Sequence, residues 1–242
     1  SIYHLSLKPE NIEDIIFTVG DPGRVHRVSS HFDRIDFEMN KREFITHTGR
    51  LGGRKVTVMS TGMGTSNIEI LMTELDLLAN YDFQNQKFKQ RKKRLRIIRL
   101  GTSGSIQNDL SLGSILLSEK AVGFDNLMSF YQFEENDENR KFSEKLKDEL
   151  RMDINPYTVN CDNDLLKQLS GDPFFKGITV TSPGFYAPQG REINIKLRYP
   201  EMLERMCYFQ YDNKWLTNFE METSAYYAFA EILGHKTISV NA

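Results

Sequence analysis

The chain has 242 residues, 39% of them hydrophobic, and a formal charge of -2 from 31 basic and 33 acidic side chains. That length suits one large domain or two small ones, and a mean hydropathy of -0.47 suits a soluble globular chain. The near-neutral balance gives no global pull toward nucleic acid, two cysteines make no disulfide framework, and no apolar run reaches membrane-spanning length.

The two cysteines, Cys161 and Cys207, point to a reducing compartment, so the expected location is cytoplasmic. Residues 1–10 lack the apolar core of a signal peptide. The first buried-strand candidate is Ile15–Val19, which stops at the turn signal Gly20-Asp21-Pro22-Gly23. Residues 44–47 and 55–59 read as strands joined by a glycine-rich loop at residues 49–53. After Thr61-Gly62-Met63-Gly64-Thr65, the residues Ile68, Leu71, Met72, Leu75 and Leu78 recur at helical spacing. Strand, glycine turn and amphipathic helix form the unit of a layered parallel fold.

Residues 84–96 are polar and basic, with Arg91-Lys92-Lys93-Arg94 at their centre. They read as a nucleic-acid patch or, preferably, as a charged helix end or surface loop, because no aromatic stacking platform accompanies them. Residues 96–100 form the next strand, ended by Gly101, and residues 114–117 another. Residues 133–151 are highly charged and read as a solvated helix with its flanking loop. Residues 178–181 make a short strand before Ser182-Pro183-Gly184. Ala225, Tyr226, Phe229, Ile232 and Leu233 mark one face of a helix, with Gly234 suited to its C-cap. A last strand begins at Thr237. No linker composition divides the chain, so residues 1–242 are expected to form one domain. A strand that ends a chain usually needs cover, so a C-terminal segment is expected to be missing from it.

Several of these strand ends carry polar side chains. Gly20 and Arg24 offer backbone N–H groups and a guanidinium, a pair suited to phosphate, although a structural turn explains the glycine and proline equally well. Arg99 stands between Ile98 and Leu100, where a charge is costly unless paired or ligand-bound; strand alternation also allows it to face solvent. Thr102 follows it. Arg42 is a third candidate, in a polar run where a surface role is simpler. Gln189 and Arg191 share a face if their segment is extended, and together they could read a carbonyl–NH–carbonyl edge, with Phe185 and Tyr186 as flat surfaces. Glu220 and Glu222 could hold vicinal sugar hydroxyls or cap the following helix, with Met221 against the sugar. Paired acids also raise glycoside hydrolysis, which leaves the arginines unexplained. No HxxxH, HxH, CxxC or GxSxG occurs, so a metal centre and a serine nucleophile find no support.

Taken together, Gly20 to Arg24, Arg99 to Gly104, Gln189-Gly190-Arg191 and Glu220-Met221-Glu222 resemble the nucleoside phosphorylases of the uridine phosphorylase type, and the likeness runs from Tyr3-His4-Leu5 to Val240. The resemblance implies a three-layer α/β/α fold with a mixed central β-sheet. It implies that Gly20, Arg24, Arg99 and Thr102 contact phosphate and that Arg42 reaches in from a neighbouring subunit. Gln189 and Arg191 would hold uracil with Phe185 against the ring. Glu220, Met221 and Glu222 would hold ribose, and His4 of a neighbour would bond the 5′-hydroxyl. The implied catalytic set is Arg191, Gln189, Glu222 and Arg99. The implied reaction is reversible phosphorolysis of uridine, with inorganic phosphate as co-substrate and no cofactor. A homodimer would be the active unit, with a hexamer as the larger form, and neither nucleic acid nor membrane would be a partner. Some relatives hold a monovalent cation such as K+ through the residue matching Glu43 and a serine that is Asn67 here. The alternatives are a purine-preferring or broad nucleoside phosphorylase, a hydrolase-like activity, and a non-catalytic nucleoside-binding module.

Overall fold

Ile15–Val19 forms β1, as its apolar run requires, and the chain turns at once into α1, Gly23–Ser29. That short helix is a departure from the expected plain turn. Its start is shaped by Asp21, whose carboxylate accepts from the Gly23 N–H at 2.8 Å. The computed structural model describes all residues 1–242 and divides into two compact units. The first is Ser1–Leu100 with Phe229–Thr237, and the second is Gly101–Ala228 with Ile238–Ala242.

In the first unit, β2 (Arg34–Lys41), β3 (Phe44–Leu51) and β4 (Arg54–Ser60) form an antiparallel ribbon. The loop expected at residues 49–53 is shorter than its glycines suggested. Only Gly52 and Gly53 turn, both with positive φ, the conformation that a tight two-residue hairpin demands. Gly49 lies inside β3, where a Cβ would sit 2.1 Å from the Arg34 carbonyl oxygen. The helix α2 (Thr65–Asn80) buries Ile68, Leu71, Met72, Leu75 and Leu78. Each such side chain is worth about 1.5–3 kcal/mol of burial. A small hairpin follows, β5 (Tyr81–Asp82) with β6 (Lys87–Phe88), in place of the expected helix end or plain loop. It leads into β7 (Arg96–Gly101). β1 lies between β4 and β7 and runs parallel to both, so the carboxyl ends of three strands share one edge.

In the second unit, β8 (Gly104–Ser105) precedes β9 (Ile115–Gly123), which extends well past the four residues legible as a strand. The helix α3 (Asp137–Leu150) is amphipathic, as its charge suggested. Phe142, Leu146 and Leu150 recur every fourth residue on its buried face, and the Asn136 side chain caps its start. Then come β10 (Tyr157–Asn160), α4 (Asn163–Leu169), β11 (Phe174–Thr181), α5 (Met202–Tyr208), β12 (Gln210–Tyr211), β13 (Lys214–Glu220), α6 (Thr223–Leu233) and β14 (Lys236–Asn241). β11 runs parallel between β9 and β13, while β10 and β14 pair antiparallel with β9. Phe142, Leu146, Val180, Met206, Phe209 and Leu216 meet in the core beneath these strands. Parallel and antiparallel pairs together give the expected class, a three-layer α/β/α fold with a mixed central sheet. No helix is long and apolar enough to cross a membrane.

Candidate active site

The first unit gathers the residues expected to hold phosphate near the carboxyl ends of β1, β4 and β7. The loops after β1 and β4 are tied together, with the Thr61 N–H donating to the Val19 carbonyl and the Gly62 N–H to that of Gly20. The Arg24 guanidinium lies over Gly20, its Nη2 3.4 Å from where a Cβ would stand. Arg99 is buried, 6% exposed, and paired in register with the buried Thr18. Of the two readings open for it, burial holds, the one that requires compensation of its charge. Arg42 and Glu43 form the two-residue turn between β2 and β3, with Arg42 at a φ of 53°. The Glu43 stem and the Asn67 amide both approach Gly62, and the Asn67 Nδ2 donates to the Thr61 carbonyl at 2.8 Å. No group of three or more His, Cys, Asp or Glu side chains gathers anywhere as a metal site.

His4 is held from below by Glu74 of α2. The buried carboxylate accepts from the His4 N–H at 3.0 and 3.1 Å, from the Leu5 N–H at 2.9 Å and from the His4 ring Nδ1 at 2.6 Å. A carboxylate can only accept, so Nδ1 carries a proton and the ring is held in one orientation. Glu74 was missed in the sequence. The signal was there, since position 74 falls within the arc of Leu71, Leu75 and Leu78, where a carboxylate needs a specific partner. His47, in β3, accepts or donates at Nδ1 to the Ser29 hydroxyl of α1 at 2.8 Å. Burial pushes its pKa below the ordinary histidine value, assisted by His26 and opposed by Glu38.

The second unit carries the Gln189 and Arg191 pair. Gln189 and Arg191 do not lie on an extended segment as expected. Residues Ala187–Gln189 form a single 3-10 turn, and Gly190 follows in the left-handed region at a φ of 72°. A Cβ on Gly190 would meet the Leu203 side chain at 2.4 Å, so both φ and space require glycine there. The tight turn, rather than strand alternation, brings the two side chains together. Arg191 Nη1 donates to the Gln189 Oε1 and to the Phe185 carbonyl, the latter at 2.6 Å. Its guanidinium stacks 3.9 Å from the Phe185 ring centroid and 5.4 Å from that of Phe219. Phe219, in the unrecognised strand β13, is a further member of this cluster. Gln189 is buried, while Phe185 and Tyr186 are half exposed.

Glu220 ends β13 and spends its carboxylate on the start of α6. It accepts from the N–H groups of Glu222 and Thr223 at 2.9–3.1 Å and from the Thr181 hydroxyl at 2.8 Å. Of the two roles open for it in the sequence, helix capping is the one its bonds show. Glu222 is buried and Met221 partly so, and Thr102 is exposed. The Ser182 hydroxyl, after β11, is buried with no hydrogen-bond partner. Nearby, the Tyr157 hydroxyl donates to Asp125 at 3.0 Å, and burial beside that carboxylate raises its pKa well above the ordinary value, so it stays a phenol. Burial pushes the Cys161 thiol up to about 12, which removes it as a nucleophile.

These features define an α/β protein whose strand ends present cationic and amide donors in one unit and a polar clamp with paired carboxylates in the other. The chain belongs to the phosphorylase superfamily, whose family model matches residues 14–242. It is similar to the uridine phosphorylase of Thermococcus kodakarensis, 26% identical over 232 residues that span 96% of this chain and 73% of that protein. It is equally similar to the DeoD-type purine nucleoside phosphorylase of Oceanobacillus iheyensis, 26% identical over 98% of this chain and 84% of the relative. Among solved structures, a Trypanosoma brucei nucleoside phosphorylase described as showing uridine phosphorylase activity superposes with a TM-score of 0.87 at 29% identity, covering 99% of this chain and 86% of its own.

Proposed function

We propose that the chain is a nucleoside phosphorylase of the uridine phosphorylase type, converting uridine and phosphate to uracil and ribose 1-phosphate. The observation that carries this reading is the Gln189–Arg191 pair. A guanidinium can only donate, so it fixes the amide with Oε1 toward Arg191 and Nε2–H outward. The pair then offers donors for two ring carbonyls and an Oε1 lone pair for the N–H between them. A 2,4-dione ring matches that edge, whereas cytosine would turn an amine against the arginine.

In this reading Gly20, Arg24, Arg99 and Thr102 hold phosphate, with Arg42 of a second subunit. Glu222 and Met221 hold the ribose, with Glu220 setting the start of α6 that carries them, and His4 of a second subunit meets the 5′-hydroxyl. A phosphate oxygen bonds to C1′ as the C1′–N1 bond breaks, and that electron pair leaves with the uracil. Arg191 stabilises the charge gathering on the departing ring, which is electrostatic catalysis without a covalent enzyme intermediate. The active unit is a homodimer.

The equal identity to a DeoD-type purine enzyme supports a second reading, a broad or purine-preferring phosphorylase. Product analysis with uridine, thymidine and inosine, with and without phosphate, separates the two. Uridine turnover that vanishes without phosphate and yields ribose 1-phosphate is the expected result. Base release in the absence of phosphate, or a preference for inosine, ends the first reading, and binding of uridine with no product would make the chain a non-catalytic module.

A further inference from the structure

The basic stretch, whose nucleic-acid reading ranked second for want of an aromatic platform, has one in the fold. β5 and β6 pair Tyr81 with Phe88 and Asp82 with Lys87. The Tyr81 ring is met edge-on by Phe83 and Phe88, with centroids 5.3 and 5.2 Å away. Phe83 and Phe88 stay 46% and 51% exposed, and the Lys92 ammonium lies 5.8 Å from the Phe88 ring centroid. Beside them a cavity of about 440 Å³ is lined by the rings of Tyr81 and Phe83, the basic Lys8 and Lys89 and the acidic Glu10 and Asp82. Its size and its aromatic walls suit a flat ring.

The charge is one-sided. From residue 82 to residue 96 there are seven basic side chains and one acidic one. Lys93 is paired with Asp14, and the Lys89 Nζ donates to the Ala79 carbonyl. Lys87, Arg91, Lys92, Arg94 and Arg96 enter no salt bridge. The single acid, Asp82, is occupied by the turn itself, accepting from the Gln84 and Asn85 N–H groups and from the Asn85 Nδ2 at 2.8–3.1 Å. Those bonds hold its pKa below the ordinary carboxylate value, so it stays charged, one anion against seven cations.

We propose that the hairpin at residues 81–96 is a binding surface for a single-stranded polynucleotide. Cations spaced along an extended segment track phosphates, and half-exposed rings take unpaired bases. The tip, Gln84-Asn85-Gln86, argues against a lipid surface, since those amides would lose water in a headgroup layer but find partners on base edges. The hairpin enters β7 at its amino end, about 20 Å of strand from the residues expected to hold phosphate. Polynucleotide binding is therefore independent of phosphorolysis and does not rest on the reading above.

Fluorescence anisotropy of the whole chain with labelled oligouridylate and oligothymidylate of about a dozen nucleotides tests this. Five phosphate contacts predict a loss of affinity of about 100-fold between roughly 50 and 200 mM salt. The triple variant Arg91→Gln, Lys92→Gln, Arg94→Gln should bind weakly and reduce that salt dependence to about tenfold or less. Phe88→Leu keeps an apolar side chain against Tyr81 but removes the stacking face, and should weaken binding about fivefold or more with the salt dependence unchanged. Uridine turnover and thermal unfolding of these variants should match the parent, which keeps a folding defect from imitating the effect. No binding at low salt overturns the proposal. So does equal affinity for a duplex of the same length, tighter binding to phosphatidylserine vesicles than to either oligonucleotide, or indifference to the triple variant.

Discussion

His4 and Arg191 are both polar side chains that the proposed reaction needs, but they wait for substrate in opposite ways. His4 rests on a buried carboxylate that accepts from its ring and from two backbone N–H groups, so its orientation is set before anything binds. Arg191 is satisfied by its own loop, bonded to Gln189 and the Phe185 carbonyl and stacked on the very ring assigned to the base. One group is preorganised, and the other exchanges partners on binding. The cation–π contact given up is worth about 0.5–1 kcal/mol, and bonds to the base replace the hydrogen bonds that are released. The lesson is that ring placement against Phe185 requires the guanidinium to move from its face to the edge of the base.

Removing the mobile group should have the largest effect. Arg191→Ala should lower uridine kcat/KM by about 10²–10³-fold, the loss seen when an oxyanion donor is removed, with phosphate KM little changed. Steady-state assays with each substrate varied check this, and unchanged turnover would remove Arg191 from the chemistry.

On the preorganised side the effect should be smaller and more selective. Glu74→Gln keeps the shape but can turn its amide toward the ring, so the His4 ring loses its fixed orientation. We expect about a tenfold loss of preference for uridine over 5′-deoxyuridine, in keeping with one charge-assisted hydrogen bond. An equal fall with both nucleosides would mean that Glu74 supports only the fold.

The smallest effect concerns His47, another buried pair on the same side. Its folded pKa is lowered by burial, so the unfolded chain takes up a proton near pH 6.5 while the native one resists. Stability from this group is therefore present above about pH 6.5 and is lost as pH falls toward the folded value. Urea unfolding at about pH 7.5 and about pH 5.5 should show a smaller acid-induced drop for His47→Gln than for the parent. An identical drop in both proteins would place the acid sensitivity elsewhere.

Local patterns carried much of this architecture. Ile15–Val19 and the stripe from Ile68 to Leu78 appear where periodicity placed them, because the apolar spacing that marks each element lies within its own residues. Lys214–Glu220 escaped notice, since its alternation is interrupted by Thr217 and Asn218 and its pairing comes from β11, more than thirty residues earlier. At the candidate site, the sequence could nominate residues but not their geometry. The Gln189–Arg191 pair depends on the left-handed Gly190, and its closeness to Leu203 is a tertiary fact. Glu74 needed the knowledge that the amino-terminal residues return to α2. The aromatic rings around the basic hairpin were present in the sequence, but only the β5–β6 pairing brought Phe88 beside Tyr81.

Arg42 occupies the first place of a two-residue hairpin with φ at 53°, a conformation that costs an ordinary side chain about 1–2 kcal/mol and glycine almost nothing. Selection for heat tolerance alone would drive that codon toward glycine or asparagine, whereas under the proposed phosphate contact selection for turnover at scarce phosphate would hold it at arginine. Position 42 is therefore where an engineer seeking a tougher catalyst and a cell seeking a faster one would part ways.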